Sequence, residues 1–264
     1  SLGLVGSEMC IRDSDNPEAF RAAVTEKTRA IFVESLANPG GVIVDLEAIA
    51  KIAQEAEVPL IVDNTMATPW LCRPFEWGAD LVVHSTTKFL SGQGNAMGGI
   101  VIDSGRFPWF GNAKYPSLSE PCPDYNGLTF AETFGDMAFT LYSHAVSLRD
   151  LGCTQSPMNA WITLNGVETL PLRMERHVEN AQKVAGFLQQ HPSVEWVSYA
   201  GLSSSPYYQL AQKYLQGKAG SVFTFGIRGG YESGLRLLEK VELFSHVSNT
   251  VSYTHLTLPT IVSV

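Results

Sequence analysis

The chain has 264 residues, 45% of them hydrophobic, with 18 basic against 26 acidic side chains and a formal charge of −8. That is enough apolar material for one large or two smaller cored domains, and the acidic balance, with no basic run, excludes nucleic acid and anionic membrane as expected partners in favour of a small molecule. No apolar run has the length of a membrane span and the first residues lack a signal-peptide pattern; Cys10, Cys72, Cys122 and Cys153 have neither metal spacing nor disulfide density, so free thiols and a cytoplasmic location are expected.

In chain order, the first fourteen residues, SLGLVGSEMCIRDS, and the last fourteen, VSYTHLTLPTIVSV, read as foreign to what lies between them and resemble translated adapter read-through. Residues 1–14 and 251–264 are therefore expected to be non-native tails. Asp15-Asn16-Pro17 predicts a helix start, Ala30 to Glu34 a buried strand, and Asn38-Pro39-Gly40-Gly41 a turn. Asp45 predicts the cap of a helix to about Glu57, with Leu46, Ile49, Ala50, Ala53 and Ala56 on its sheet-facing side. Pro59 to Val62 and Ala79 to Val83 are apolar runs too short for helices and read as parallel strands. Glycines from Gly92 to Gly99 predict a loop into a further strand, Gly99 to Asp103. The Pro-, Gly- and aromatic-rich section from Arg106 to Gly135 reads as a long functional loop. Helices are predicted over Asp136–Leu151, from Ser156-Pro157 through LNGVETL, and over Pro171–Gln190 with Leu172, Val178, Ala181, Val184 and Leu188 on one side. Strands near Val194–Tyr199 and Ser221–Ile227 and a helix over Tyr231–Val241 complete the reading. The pattern is α/β, a mostly parallel sheet with flanking helices over 15–170, followed by an incomplete α+β unit over 171–250.

The two central strands end in groups that a solvated loop does not need: Asp63-Asn64-Thr65 and His84-Ser85-Thr86-Thr87-Lys88. Ligands of open α/β sheets sit at the carboxyl ends of the strands, so both clusters are expected to face one pocket. A lysine, a carboxylate and hydroxyls in one crevice match the needs of pyridoxal phosphate (PLP). The lysine amine condenses with the cofactor aldehyde, the acid keeps the ring nitrogen protonated, and the hydroxyls reach the phosphate. Simpler roles exist for each: Lys88 as a surface lysine, Asp63 as a helix cap, Ser85 and Thr87 as strand-end residues. His84 reads as a satisfied strand-end histidine, and His144, His177 and His246 have no metal spacing.

The stretch VDNTMATPWLCRPFEWGADLVVHSTTK resembles the Cys/Met-metabolism group of fold-type I PLP enzymes, whose signature runs DNT, a short crossover, then a strand into HSxTK. The likeness extends over about Asp15 to Asn249, and the PDYxGL-like phrase in the long loop favours the members that join sulfide to O-acetyl-L-homoserine. This resemblance implies a Schiff base on Lys88, Asp63 at the ring nitrogen, Ser85 and Thr87 at the phosphate, Asn38 at the ring oxygen, and Asn249 near the substrate carboxylate. It implies γ-replacement giving homocysteine and acetate, and assembly as a homotetramer. It also implies that native sequence before Asp15 and after Asn249 supplies phosphate amides, a ring-stacking tyrosine and a substrate-binding arginine, so the 264 residues alone are expected to retain little PLP. Within the group, cystathionine synthase or lyase and methionine lyase activities remain open. Outside it stand a serine-lysine acyl-transfer enzyme using Ser85-Thr86-Thr87-Lys88 and a folded but inactive fragment.

Overall fold

The computed structural model describes residues 15–242. Four strands form the main sheet in the order β1 (Ile31–Glu34), β2 (Leu60–Asp63), β3 (Leu81–Ser85) and β4 (Gly99–Asp103). The first three are parallel and β4 runs antiparallel to β3, with Val83 opposite Val101 and Ser85 opposite Gly99. A second sheet pairs β5 (Val194–Ser198) antiparallel with β6 (Thr224–Ile227).

Side-chain alternation explains which face of the main sheet is core. Ile31, Val33, Leu60, Val62 and Val82 are all buried on one side, the β-branched and leucine surface that a covering helix requires. That helix is Leu46–Glu55: Asp45 caps it by accepting the Ala48 N–H at 3.2 Å, and it buries Leu46, Ile49, Ile52 and Ala53. The cap is shared, because the Tyr214 hydroxyl also donates to the Asp45 carboxylate. Tyr199, Leu202, Tyr214, Leu215, Val222 and Phe223 join the same buried cluster as the strand residues, so the chain beyond residue 190 closes the core of the main sheet.

Three expectations change. The section over 106–135 is no plain loop: it contains short helical turns at Pro116–Ser119, Pro123–Tyr125 and Phe130–Phe134 around a separate aromatic cluster of Phe107, Trp109, Leu118 and Phe130. Such short turns carry no readable period, and their order comes from ring packing, such as the stack of Trp109 on Phe139 at 5.5 Å. Leu172 is 71% exposed; the helix Leu170–Gln190 turns Leu170, Met174, His177, Ala181 and Ala185 inward instead. A helix over Tyr208–Tyr214 was not anticipated.

Helix Pro157–Glu168, capped by Ser156, touches the Leu90–Ser91 backbone that follows β3 through a glycine. A Cβ on Gly166 would stand 2.3 Å from the Ser91 carbonyl oxygen and 2.4 Å from that of Leu90, backbone atoms that cannot swing aside. Helix propensity alone favours alanine by about 1 kcal/mol. Overpacking is expected to reverse the sign, so Gly166→Ala should lose about 2 kcal/mol in chemical denaturation; a gain in stability would contradict this contact.

Candidate functional site

The registers place the predicted groups along one row. Glu34 lies opposite Asp63 and Asp63 opposite Val83. Paired residues share a face of a sheet, and Ser85, two positions beyond Val83, returns to that face. Glu34, Asp63, Val83 and Ser85 are each half-buried, whereas their neighbours Val33, Val62, Val82 and His84 are buried on the core side. The row lies at the carboxyl ends of three adjacent strands, where α/β sheets hold ligands.

Asp63, His84 and Ser85 are the last residues of their strands and not the first of their loops. What fixes them is the pair that follows Asp63. The Thr65 N–H donates to Asp63 Oδ1 at 2.9 Å, and the Thr65 hydroxyl oxygen accepts the Ser85 N–H at 2.8 Å, so one residue orients the acid and ties it to β3. Asn64, 1% exposed, accepts from the Ser35 hydroxyl at 2.7 Å and donates to the Cys72 carbonyl at 2.9 Å. The acid is thereby held on a short Asx-type turn.

Beyond Ser85 the chain enters a tight turn over Thr86–Leu90, in which Lys88 leaves the helical range at φ −87°, ψ −123° and lies half-buried. The glycine-rich loop folds back onto this turn. The Thr86 N–H donates to the Gly98 carbonyl at 3.0 Å, and the Thr87 hydroxyl accepts the Gly98 N–H at 3.1 Å while facing the same carbonyl at 3.3 Å. Gly98 is required there, since a Cβ would come within 2.7 Å of both Thr86 Oγ1 and the Gln155 side chain.

Asn38 follows β1, and its N–H donates to Glu34 Oε2 at 3.0 Å. Glu34 joins this row and was missed by sequence reasoning, although a carboxylate closing the AIFVE run was the same signal that singled out Asp63. Burial raises its pKa, opposed by the Asn38 N–H and assisted by the negative charge of Asp63. Asn249 lies outside the described residues.

His84 is 3% exposed, and its ring makes no well-formed hydrogen bond among the described residues. Burial lowers its pKa against the opposing pull of Asp63, which keeps it a neutral core residue. His177 is similar: burial, then the charge of Arg173, lowers it from 6.5 to about 4. Its folded pKa lies below the unfolded one, so no stability is lost above about pH 6.5, and stability falls as pH drops from there towards about 4. Denaturation midpoints should show about 2 kcal/mol of this loss between about pH 7 and pH 5. His177→Gln should remove that part of the slope, and an unchanged slope would contradict the assignment.

Asp63, fixed through one oxygen, and Ser85 thus share one face at the carboxyl ends of β2 and β3, with Thr87 and Lys88 in the turn that follows; these are residue types that PLP requires. Comparison with known proteins agrees with this chemistry. The profile of the family described as Cys/Met metabolism PLP-dependent enzyme matches residues 3–259, a wider span than the motifs suggested. An O-acetyl-L-homoserine sulfhydrylase of Leptospira meyeri is 48% identical over 254 residues, 93% of this chain and 57% of that protein. O-acetyl-L-homoserine sulfhydrylase 1 of Thermus thermophilus is 48% identical over 236 residues, covering 89% of this chain and 56% of its own length. A solved structure from Campylobacter jejuni, assigned as an O-acetylhomoserine (thiol)-lyase and bearing N'-pyridoxyl-lysine-5'-monophosphate, superposes with a TM-score of 0.85 at 38% identity over 89% of this chain and 58% of that one. The chain spans little more than half the length of these relatives.

Proposed function

The chain belongs to the Cys/Met metabolism PLP-dependent enzyme family, and from that premise we propose that it carries the lysine and ring-anchoring acid of an enzyme making homocysteine and acetate from O-acetyl-L-homoserine and sulfide or a small thiol. The observation that supports this reading is the row at the carboxyl ends of β2 and β3, where Asp63 shares a face with Ser85 and Lys88 follows three residues later. The similarity to sulfhydrylases at 48% identity favours sulfide addition over the lyase activities that the motif alone leaves open.

When bound, the cofactor supplies an electron sink next to the substrate's α-carbon. Lys88 Nζ would hold it covalently and, once released, take the substrate proton at Cα and move a proton at Cβ. Asp63 would keep the ring nitrogen protonated through Oδ2, since Oδ1 is engaged by the Thr65 N–H. Ser85 and Thr87 would donate to the phosphate. For Thr87 this means giving up the long contact to the Gly98 carbonyl while still accepting the Gly98 N–H. Asn38 would reach the ring oxygen, held by Glu34, and Asn249 the substrate carboxylate.

The native protein is proposed to act in the cytoplasm as a homotetramer. Free thiols at Cys72, Cys122 and Cys153 fit a reducing compartment. Among the described residues no helix is long and apolar enough to cross a membrane. The outward face of helix 157–168 carries exposed Met158, Trp161 and Leu164, more apolar surface than a helix facing water normally shows. Light scattering on the native gene product should give four copies.

Supplying O-acetyl-L-homoserine and sulfide to the native gene product should yield homocysteine with one acetate per turnover. Cleavage of cystathionine without homocysteine formation from these substrates would move the protein to the lyases.

A further inference from the structure

We propose that Arg173 is a positioning residue for Lys88, clamping from outside the pocket the turn on which the lysine sits. The inference rests on Lys88 being the cofactor-binding amine. Arg173 projects from helix 170–190 and spends its donors on neutral oxygens: Nη1 donates to the Phe89 carbonyl at 2.8 Å, Nη2 to the Gly166 carbonyl at 2.6 Å, and Nε to Thr169 Oγ1 at 3.1 Å. Among the described residues no carboxylate forms an ion pair with it. A half-buried guanidinium without a counter-ion is costly to hold, and here its return is a fixed backbone.

The residue it grips follows the lysine directly. The backbone angles of Lys88 leave the helical range inside this turn, so the direction of its side chain depends on what holds the two flanks of the turn. On the near flank, Thr86 and Thr87 are bound to Gly98. On the far flank the carbonyl of Phe89 is held by Arg173, and its ring packs against His177, one helical turn further along the same helix, at 5.5 Å between centroids. Gly92 closes the clamp. At φ +79° it lies directly against the guanidinium, and a Cβ there would stand 2.5 Å from Arg173 Cζ. Gly92→Ala must therefore displace Arg173 without deleting it, in addition to straining a left-handed backbone position.

A planar fork can bridge two carbonyls, whereas one ammonium cannot, so Arg173→Lys should fail in the same way as Arg173→Met. The test uses the native gene product in cofactor-free and PLP-loaded forms, with three readouts: amide exchange at Ser91 and Gly92, the visible circular dichroism induced in the bound cofactor, and steady-state kinetics. These amides pair with the Thr86 and Lys88 carbonyls at 3.0 Å. In Arg173→Met their exchange should be faster by about tenfold or more in both forms. Borohydride should still label Lys88, the induced dichroism should weaken, and kcat should fall about tenfold to a hundredfold with KM within about twofold. Gly92→Ala should reproduce the pattern, and it carries the same readouts if Arg173→Met does not fold. Unchanged exchange and dichroism in the variants, or full recovery in Arg173→Lys, would overturn the proposal. Absence of label on Lys88 in the unmutated protein would instead remove the cofactor reading, while exchange in the cofactor-free form would still report on the clamp.

Discussion

In the native gene product, Lys88→Ala should leave a folded protein that no longer retains PLP after gel filtration and whose turnover of O-acetyl-L-homoserine is reduced at least about a thousandfold. Two losses combine in that figure: the covalent hold on the cofactor, and a positioned base for proton transfer, which by itself contributes about a hundredfold to ten-thousandfold. Lys88 is half-buried in a turn fixed on both sides by contacts other than its own amine, so truncation is expected to cost little stability. Added methylamine should restore a few per cent of the lost rate at most, and only if the pocket is intact. A Lys88→Ala protein that keeps its colour through gel filtration and retains more than about a tenth of its turnover would rule out this role.

Asp63→Asn isolates charge from geometry. The amide oxygen of asparagine can still accept the Thr65 N–H that now binds Oδ1 at 2.9 Å, so the turn should persist and the unfolding midpoint should move little. What disappears is the attraction between a carboxylate and a protonated ring nitrogen, roughly 5 kcal/mol at about 3 Å and an effective dielectric near 20. If most of that stabilises the charge developing at Cα, kcat should fall by about a thousandfold or more, with PLP still bound through Lys88. Loss of PLP binding with no defect in kcat at saturating cofactor would show that Asp63 is structural. Glu34 sharpens the contrast. It lies beside Asp63 in the same row but is engaged by the Asn38 N–H, so Glu34→Gln should be far milder than Asp63→Asn.

The parts of the site legible in the sequence were those written locally. Asp63 and the run from Ser85 to Lys88 stand out because polar residues close short apolar strands, and the observed register puts Asp63 and Ser85 on one face as the period of two requires. Asp45 and Ser156 were legible as caps for the same reason: each accepts an amide three residues ahead. Residues whose role depends on distant partners were not legible. Arg173 reads as a solvated charge in a polar helix, and nothing near it in sequence announces the Phe89 carbonyl 84 positions away. Thr65 looked like one more hydroxyl, and its tie to Ser85 exists only once β2 and β3 are paired. The inward side of helix 170–190 differs at Leu172 because residues two apart point to opposite sides of a helix, and packing turned the Leu170 side inward. The direction of β4 was likewise open in the sequence; the fold-back of Gly98 onto Thr86 and Thr87 turns the chain antiparallel.

The central claim is that the amine of Lys88 holds pyridoxal phosphate. Borohydride reduction of the PLP-loaded native gene product, followed by peptide mapping, tests it most directly: a pyridoxyl label confined to the peptide containing Lys88 is the predicted result. A label on any other lysine, or no label from a protein that forms homocysteine, would contradict it.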